Sequence, residues 1–249
     1  MKKLIHKKNS FFIAGHNGMV GSAIVRCLLK NGYCEPEKGG KLFQPSKNEL
    51  DLTNSVKVLS WFKKNKPDIV VLAAAKVGGI ISNSNYPFDF LSENLRIQQN
   101  VIESAWITGT KRFLFLGSSC IYPKNANQPI KEEELLSGYL EQTNEAYAIA
   151  KISGLKLCEA LRKQHNFDAI AVMPTNIYGP GDNYHSSDSH VFASFIRRFV
   201  MAKKSNLKSV TCWGSGQPLR EFLHVDDLAS ACIFLLENWN PDNFDAPKD

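Results

Sequence analysis

Six short apolar runs punctuate the chain, FFIAG, KLFQ, DIVVLAAA, RFLFLGSS, DAIAVMPT and SVTCWG, and most intervals between them place apolar residues at helical period. A strand with one wet face alternates apolar and polar residues; these runs hardly alternate, so both their faces need cover. Strands separated by helices in this way predict a doubly wound parallel α/β sheet with helices on both sides. At 249 residues and 43% hydrophobic content the chain can bury one such core.

The composition removes several classes. The net charge of +6 is spread along the chain, with its only dense cluster in MKKLIHKK, so no basic stripe for nucleic acid is present. No segment approaches the ~18 continuous apolar residues of a membrane span, and FFIAG is too short for a signal-peptide core. The 6 cysteines (Cys27, Cys34, Cys120, Cys158, Cys212, Cys232) include no C-x-x-C pair. That spacing indicates neither zinc nor a disulfide framework and fits a reduced, cytoplasmic setting. No metal site is expected.

GHNGMVGSAIVRCLLKNG follows the first run and opens an amphipathic helix, with Gly15, Gly18 and Gly21 at G-x-x-G-x-x-G spacing. Glycines there permit a tight turn and bring backbone N–H groups and a helix N-terminus to a pyrophosphate, so the motif reads as a dinucleotide cradle. At the end of the second strand QPSKNELDL offers Lys47, which suits a 2′-phosphate and favours NADP; Glu49 is the competing candidate for a plain ribose.

Tyr147 and Lys151 are four residues apart in NEAYAIAKISGLKLCEALRKQHN, a helix with Thr143 or Asn144 as N-cap and Glu145 in its first turn. An ammonium beside a phenol lowers the phenol's pKa and makes it a usable proton donor to a carbonyl. Upstream, GSSC at the end of RFLFL places Ser118 or Ser119 to hydrogen-bond the same carbonyl. Each feature also has a packing explanation: a buried ring and solvated amine, a small buried filler for Cys120, a satisfied loop histidine for His190.

Taken together, GHNGMVGSAI, LAAAKVGGI, FLGSSCIYP, TNEAYAIAK, MPTNIYGP, SHV, WGSG and REFLHVDD resemble the GDP-L-fucose synthases, a family of extended short-chain dehydrogenase/reductases. The resemblance runs through nearly the whole chain, and GSSC with YAIAK and SHV is its most specific part. It implies a Rossmann fold and conversion of GDP-4-keto-6-deoxy-D-mannose to GDP-L-fucose by 3,5-epimerisation and NADPH-dependent 4-keto reduction. The implied catalytic residues are Ser118, Tyr147 and Lys151 for reduction, with Cys120 and His190 as the epimerising acid–base pair. Implied contacts to NADP(H) come from Gly15, His16, Asn17, Gly18, Met19, Val20 and Gly21, from Leu116, Gly117, Ser118 and Ser119, from Pro174, Thr175, Asn176 and Ile177, and from Lys151 and His190, with Lys47 added by the charge argument alone. Arg198, Trp213 and Arg220 match substrate-binding positions; packing or surface charge explains the same three residues.

The same resemblance implies a homodimer formed through two helices and a single NAD(P)-binding domain over residues 1–249, with substrate-lobe insertions at about 178–222. Two departures matter. Asn17 stands where family members often carry an arginine near the adenosine phosphate, and family members continue past the position of Asp249, so the substrate lobe is expected to be incomplete. The turn-rich YGPGDNYHSSDSH, residues 178–190, is expected to pass over the crevice. NGYCEPEKGGK is given no role.

Overall fold

The computed structural model describes residues 3–185, 189–212, 214–217 and 219–240. Five parallel strands form the main sheet in the order β2-β1-β3-β4-β5: β1 (Ser10–Ala14), β2 (Lys41–Phe43), β3 (Ile69–Leu72), β4 (Arg112–Leu116) and β5 (Ala169–Val172). The helices between them are α1 (Met19–Lys30), α2 (Ser55–Asn65), the short α3 (Ile80–Asn85), α4 (Pro87–Ile107) and α5 (Glu145–His165). From β1 the chain leaves in one direction to β2 and resumes on the other side at β3, the topological switch point where a doubly wound sheet binds ligands.

Side chains of the strands divide by parity, which is the reason the runs look uniformly apolar. Phe11, Ile13, Ile69, Val71, Leu114 and Leu116 face α1 and the last helix, α7 (Val225–Asn238). Phe12, Ala14, Val70, Leu72, Phe113 and Phe115 face α2, α4 and α5. Two covered faces require apolar residues at both parities. The segment NGYCEPEKGGK is part of this packing: Tyr33 is fully buried edge-on against Phe11, with ring centroids 5.6 Å apart. A Cβ on Gly40 would approach the Lys7 carbonyl oxygen to 2.6 Å.

Helix boundaries follow capping chemistry. Asn54 caps α2 by accepting from the Lys57 N–H at 3.0 Å. Asn144 occupies the N-cap position of α5 without a side-chain capping bond, and Glu145 lies in the first turn. Asn166 ends α5 in the left-handed region at φ 53°.

The sixth expected strand, SVTCWG, is not formed: residues 209–212 are unpaired and largely solvent-facing, and Trp213 lies outside the described residues. Pro174, which has no N–H to donate, follows β5 closely. A separate two-stranded parallel sheet then forms from β6 (Asn176–Tyr178) and β7 (Phe222–His224), with α6 (Val191–Lys204) between them. The described part of the 178–190 loop crosses the first turn of α1, where a Cβ on Gly181 would lie 3.6 Å from the Met19 Cα.

Candidate active site

Gly15 leaves β1 with φ +87°, and a Cβ there would lie 2.7 Å from the backbone N of Ala74, just past β3. On Gly21, in the first turn of α1, a Cβ would stand 2.1 Å from the Gly15 carbonyl oxygen. Neither position admits a side chain. Gly18 is different: it is the N-cap residue of α1, and its Cβ would be 3.4 Å from the nearest atom. Between β1 and β3, then, backbone closes on backbone in a cradle beside a helix N-terminus. That shape and polarity fit the pyrophosphate of a dinucleotide.

After β2 the chain turns at Ser46, whose N–H donates to Glu49 Oε2 at 2.7 Å. This backbone bond, ahead of the nearby His16 imidazole, holds the Glu49 carboxyl below the usual carboxylate range. Glu49 is thus committed to the turn, while Lys47 is exposed and lines a cleft against α4. Of the two candidates at the end of β2, Glu49 is tied into the turn, whereas Lys47 forms no hydrogen bond or ion pair among the described residues and lies within charge range of Asp51.

The carboxyl end of β4 carries a cluster of hydroxyl, thiol, phenol and ammonium groups. Gly117 has no room for a side chain, since its Cβ would lie 2.2 Å from Met173 Sδ. Ser118 then caps a short 3-10 turn over Ser119–Ile121, its Oγ accepting from the Cys120 N–H at 3.4 Å. Ser119, whose N–H donates to the Pro174 carbonyl at 3.3 Å, is exposed and ties this turn to the segment entering β6. Tyr147 and Lys151 come from α5 on one face, as their spacing requires. The Lys151 Nζ donates to the Leu116 carbonyl oxygen at 2.8 Å and lies 5.7 Å from the Tyr147 ring centroid.

Burial governs the titration of this group. It pushes the Tyr147 phenol well above the ordinary range, Cys120 adds to the rise, and a hydrogen bond with Ser118 acts the other way. The expected lowering of the phenol by Lys151 is therefore corrected: the ammonium is turned to the Leu116 carbonyl, and Tyr147 stays protonated. Burial also lowers Lys151 to about 8, against the opposing influence of Cys120. The Cys120 thiol is raised by burial, with the Ser118 hydroxyl and the Lys151 ammonium pulling it back. Ser118, Cys120, Tyr147 and Lys151 consequently form one electrostatically coupled cluster. His190 is apart from it, exposed at the N-cap of α6 with no side-chain capping bond; among the described residues it makes no hydrogen bond or ring contact with the cluster.

Residues 11–246 match the NAD dependent epimerase/dehydratase family. The chain belongs to the NAD dependent epimerase/dehydratase family. Within it, the chain is 56% identical over 234 residues to GDP-L-fucose synthase 1 of Arabidopsis thaliana, covering 94% of this chain and 71% of that protein. It is 52% identical over 230 residues to GDP-L-fucose synthase of Escherichia coli K12, covering 92% and 70% respectively. The solved structure of MlghC, a GDP-mannoheptose C4 reductase from Campylobacter jejuni with NADP bound, superposes with a TM-score of 0.84 at 35% identity. That likeness covers 93% of this chain and 74% of the C. jejuni chain.

In this epimerase/dehydratase member the remaining expected site residues are spread over the second sheet and its helix. Asn176 donates from Nδ2 to the Glu221 carbonyl at 3.0 Å, pinning β6 to the segment before β7. Arg198 donates to the Thr211 carbonyl, and Arg220 to the Leu219 carbonyl at 2.8 Å; Trp213 lies outside the described residues. Arg198 and Arg220 are not in contact with the Ser118–Lys151 cluster among the described residues.

One residue that sequence reasoning missed holds the site together. Asn94 on α4 is 2% exposed; its Oδ1 accepts from the Lys76 N–H at 2.8 Å. Its Nδ2 donates to the carbonyls of Lys76 at 3.0 Å and Phe90 at 2.7 Å. Asn94 thereby fixes the loop after β3, which underlies Gly15, and the turn bearing Phe90, whose ring meets Tyr147 edge-on with centroids 6.4 Å apart. The available signal is a polar side chain on the buried stripe of an amphipathic helix.

Proposed function

We propose that this chain acts as a GDP-L-fucose synthase, epimerising GDP-4-keto-6-deoxy-D-mannose at the two carbons beside the ketone and reducing the ketone with NADPH. The observation that carries the reading is the placement of Ser118, Cys120, Tyr147 and Lys151 together at the end of β4, beside the glycine cradle. NADPH, when bound, supplies the hydride. Tyr147, held protonated by its surroundings, gives its proton to the carbonyl oxygen, and Ser118 Oγ donates a hydrogen bond to the same oxygen. The Tyr147 phenolate left behind would be stabilised by the Lys151 charge, 5.7 Å from the ring centroid, and Lys151 would hold the nicotinamide ribose.

Protons next to a ketone are acidic, so epimerisation needs a base on one face of the sugar and an acid on the other. Cys120 takes one role and His190 the other. Two groups that serve opposite faces of one ring need not touch each other, and His190, at the N-cap of α6, makes no hydrogen bond to the cluster among the described residues. The raised thiol means Cys120 enters as SH and passes through a transient thiolate, which Ser118 and Lys151 stabilise. Arg198, Trp213 and Arg220 are assigned to the GDP-sugar, the guanidinium fork suiting a diphosphate.

The chain is assigned to the cytoplasm, its 6 free cysteines suiting a reducing compartment, and no helix among the described residues is long and apolar enough to cross a membrane. A homodimer through α4 and α5 is part of the proposal. These helices pack closely, with Gly154 lying where a Cβ would be 2.6 Å from Gln98 Oε1, and they expose Ile107 and Ile149 outward. Sedimentation equilibrium tests the dimer; a monomer at micromolar concentration refutes it.

Turnover of the keto-sugar with NADPH in D2O tests the activity. Wild-type protein is expected to yield GDP-L-fucose with deuterium at both carbons flanking the former ketone. C120S is expected to lose deuterium incorporation far more than hydride transfer. Equal loss of both removes Cys120 from the epimerising pair, whereas reduction without any deuterium in the wild type makes the protein a C4 reductase.

A further inference from the structure

Arg96 occupies an unexplained position on α4. It lies on the exposed side of that helix and has no ion-pair or hydrogen-bond partner among the described residues. Four residues on, Asn100 donates from Nδ2 to the Leu52 carbonyl at 2.9 Å, so this face of α4 looks onto the segment that follows β2. Arg96 is one turn nearer the carboxyl ends of the strands and lines, with Lys47, a cleft of about 240 Å³. The turn carrying Lys47 also carries Glu49, which lies within charge range of His16 in the glycine loop. The cleft thus adjoins the position where an open α/β sheet receives the adenosine ribose of a dinucleotide.

The cleft also contains carboxylates, and their partners decide its polarity. Glu93 and Asp89 lie 3.2 and 3.7 Å from the Lys76 ammonium. Asp51 accepts from the N–H and the hydroxyl of Thr53 at 2.9 and 2.7 Å. Glu93 and Asp89 are committed to Lys76, and Asp51, bonded to Thr53, also lies within charge range of Lys47; Arg96 forms no ion pair among the described residues. The glycine loop itself contributes no cation at its second position, where Asn17 stands. A dianionic group on the ribose therefore finds an unpaired guanidinium at Arg96 and, across the same cleft, the Lys47 ammonium, which has Asp51 as a charge neighbour.

We propose that Arg96, together with Lys47, receives the adenosine 2′-phosphate and sets the preference for NADP(H) over NAD(H). The guanidinium fork bonds two phosphate oxygens, and the lysine adds a point charge from the turn after β2. The inference rests on the nucleotide-binding reading above and adds to it a specificity-determining residue on α4.

Binding titrations of the 249-residue protein test it, with NADPH, NADH, adenosine 2′,5′-bisphosphate and 5′-AMP as ligands and no sugar present. R96A is expected to weaken NADPH and the bisphosphate about tenfold, as for loss of one solvent-screened charged contact. NADH and AMP should be unchanged, R96K should fall between, and the salt dependence of NADPH binding should become shallower. Equal weakening of NADPH and NADH by R96A, or no effect on either, overturns the assignment. Wild-type protein that binds neither dinucleotide overturns the nucleotide-binding reading itself and this inference with it. NADPH binding with an R96A ratio equal to the wild type overturns only the role of Arg96.

Discussion

Replacing Lys151 by Met separates the chemistry of the site from its cost to the fold. Lys151 is 5% exposed and its pKa is lowered from 10.5 to about 8 by burial. At ~1.4 kcal/mol per pH unit, keeping it charged at neutral pH costs the fold about 3 kcal/mol. The folded pKa is the lower one, so the unfolded chain holds the extra proton between about pH 8 and 10.5, and stability rises with pH across that window. Below about pH 8 the whole cost is present. Methionine keeps the apolar stem and removes the charge. It also removes the 2.8 Å bond to the Leu116 carbonyl, worth about 2 kcal/mol as a charged hydrogen bond. Cation–π contact with Phe115 and Tyr147, at 5.1 and 5.7 Å from the ring centroids, contributes about 1 kcal/mol more. Gain and loss cancel. At about 2–4 °C per kcal/mol for a chain of this size, K151M should melt within about 4 °C of the wild type at pH 7. Its ketone reduction should fall at least about 100-fold, the range of a lost acid–base function. Thermal melts of both proteins at pH 7 and pH 10, with NADPH oxidation followed in parallel, make the comparison. Wild-type stability should improve relative to K151M as the pH rises. A K151M protein that melts more than about 10 °C below the wild type at pH 7, or a difference that does not move with pH, refutes the burial argument.

The glycine cradle predicts a contrast between two small substitutions. G21A forces a Cβ to 2.1 Å from the Gly15 carbonyl oxygen and should lower Tm as well as abolish measurable NADPH binding in a fluorescence titration, whereas G18A meets its nearest protein atom at 3.4 Å and should keep the wild-type Tm while weakening NADPH by crowding the pyrophosphate. At the opposite ends of the strands, Asp168 receives Arg112 and, at 3.0 Å, Arg162. Arg112 is 2% exposed and also donates to the carbonyls of Leu235 and Trp239 near the end of α7. D168N leaves that guanidinium under-compensated and should cost about 3 kcal/mol, or about 6–12 °C in Tm by calorimetry, with NADPH affinity unchanged.

The sheet was legible because strands covered on both faces must be apolar at both parities, and FFIAG, DIVVLAAA and RFLFL separated by helical period have that character. SVTCWG misled for a related reason. Val, Thr, Cys and Trp suit a pleated surface, but propensity of that kind needs a neighbour to pair with, and residues 209–212 have none. The strands that do form beyond β5 are three residues each, NIY and FLH, too short to show a period. They pair across more than forty residues of intervening chain, a relation set by long-range packing alone.

Within the site, spacing carried what lies on one element and could not carry what lies between elements. Tyr147 and Lys151 share a helix face because they are four apart, and the glycines show their constraint because a missing Cβ leaves a mark in the sequence. The direction of the Lys151 ammonium left no such mark. It is fixed by the Leu116 carbonyl, a backbone atom that every residue type presents alike. The reasoning that paired the ammonium with the phenol therefore put the charge on the wrong acceptor, and with it the sign of the phenol's shift. With the Lys151 ammonium bonded to a strand-end carbonyl and the buried phenol kept protonated, Tyr147 in its proposed role would give up its proton only when negative charge develops on an oxygen in front of it. Such an arrangement favours the reacting state over the resting one, which is the requirement for acid catalysis at a buried carbonyl.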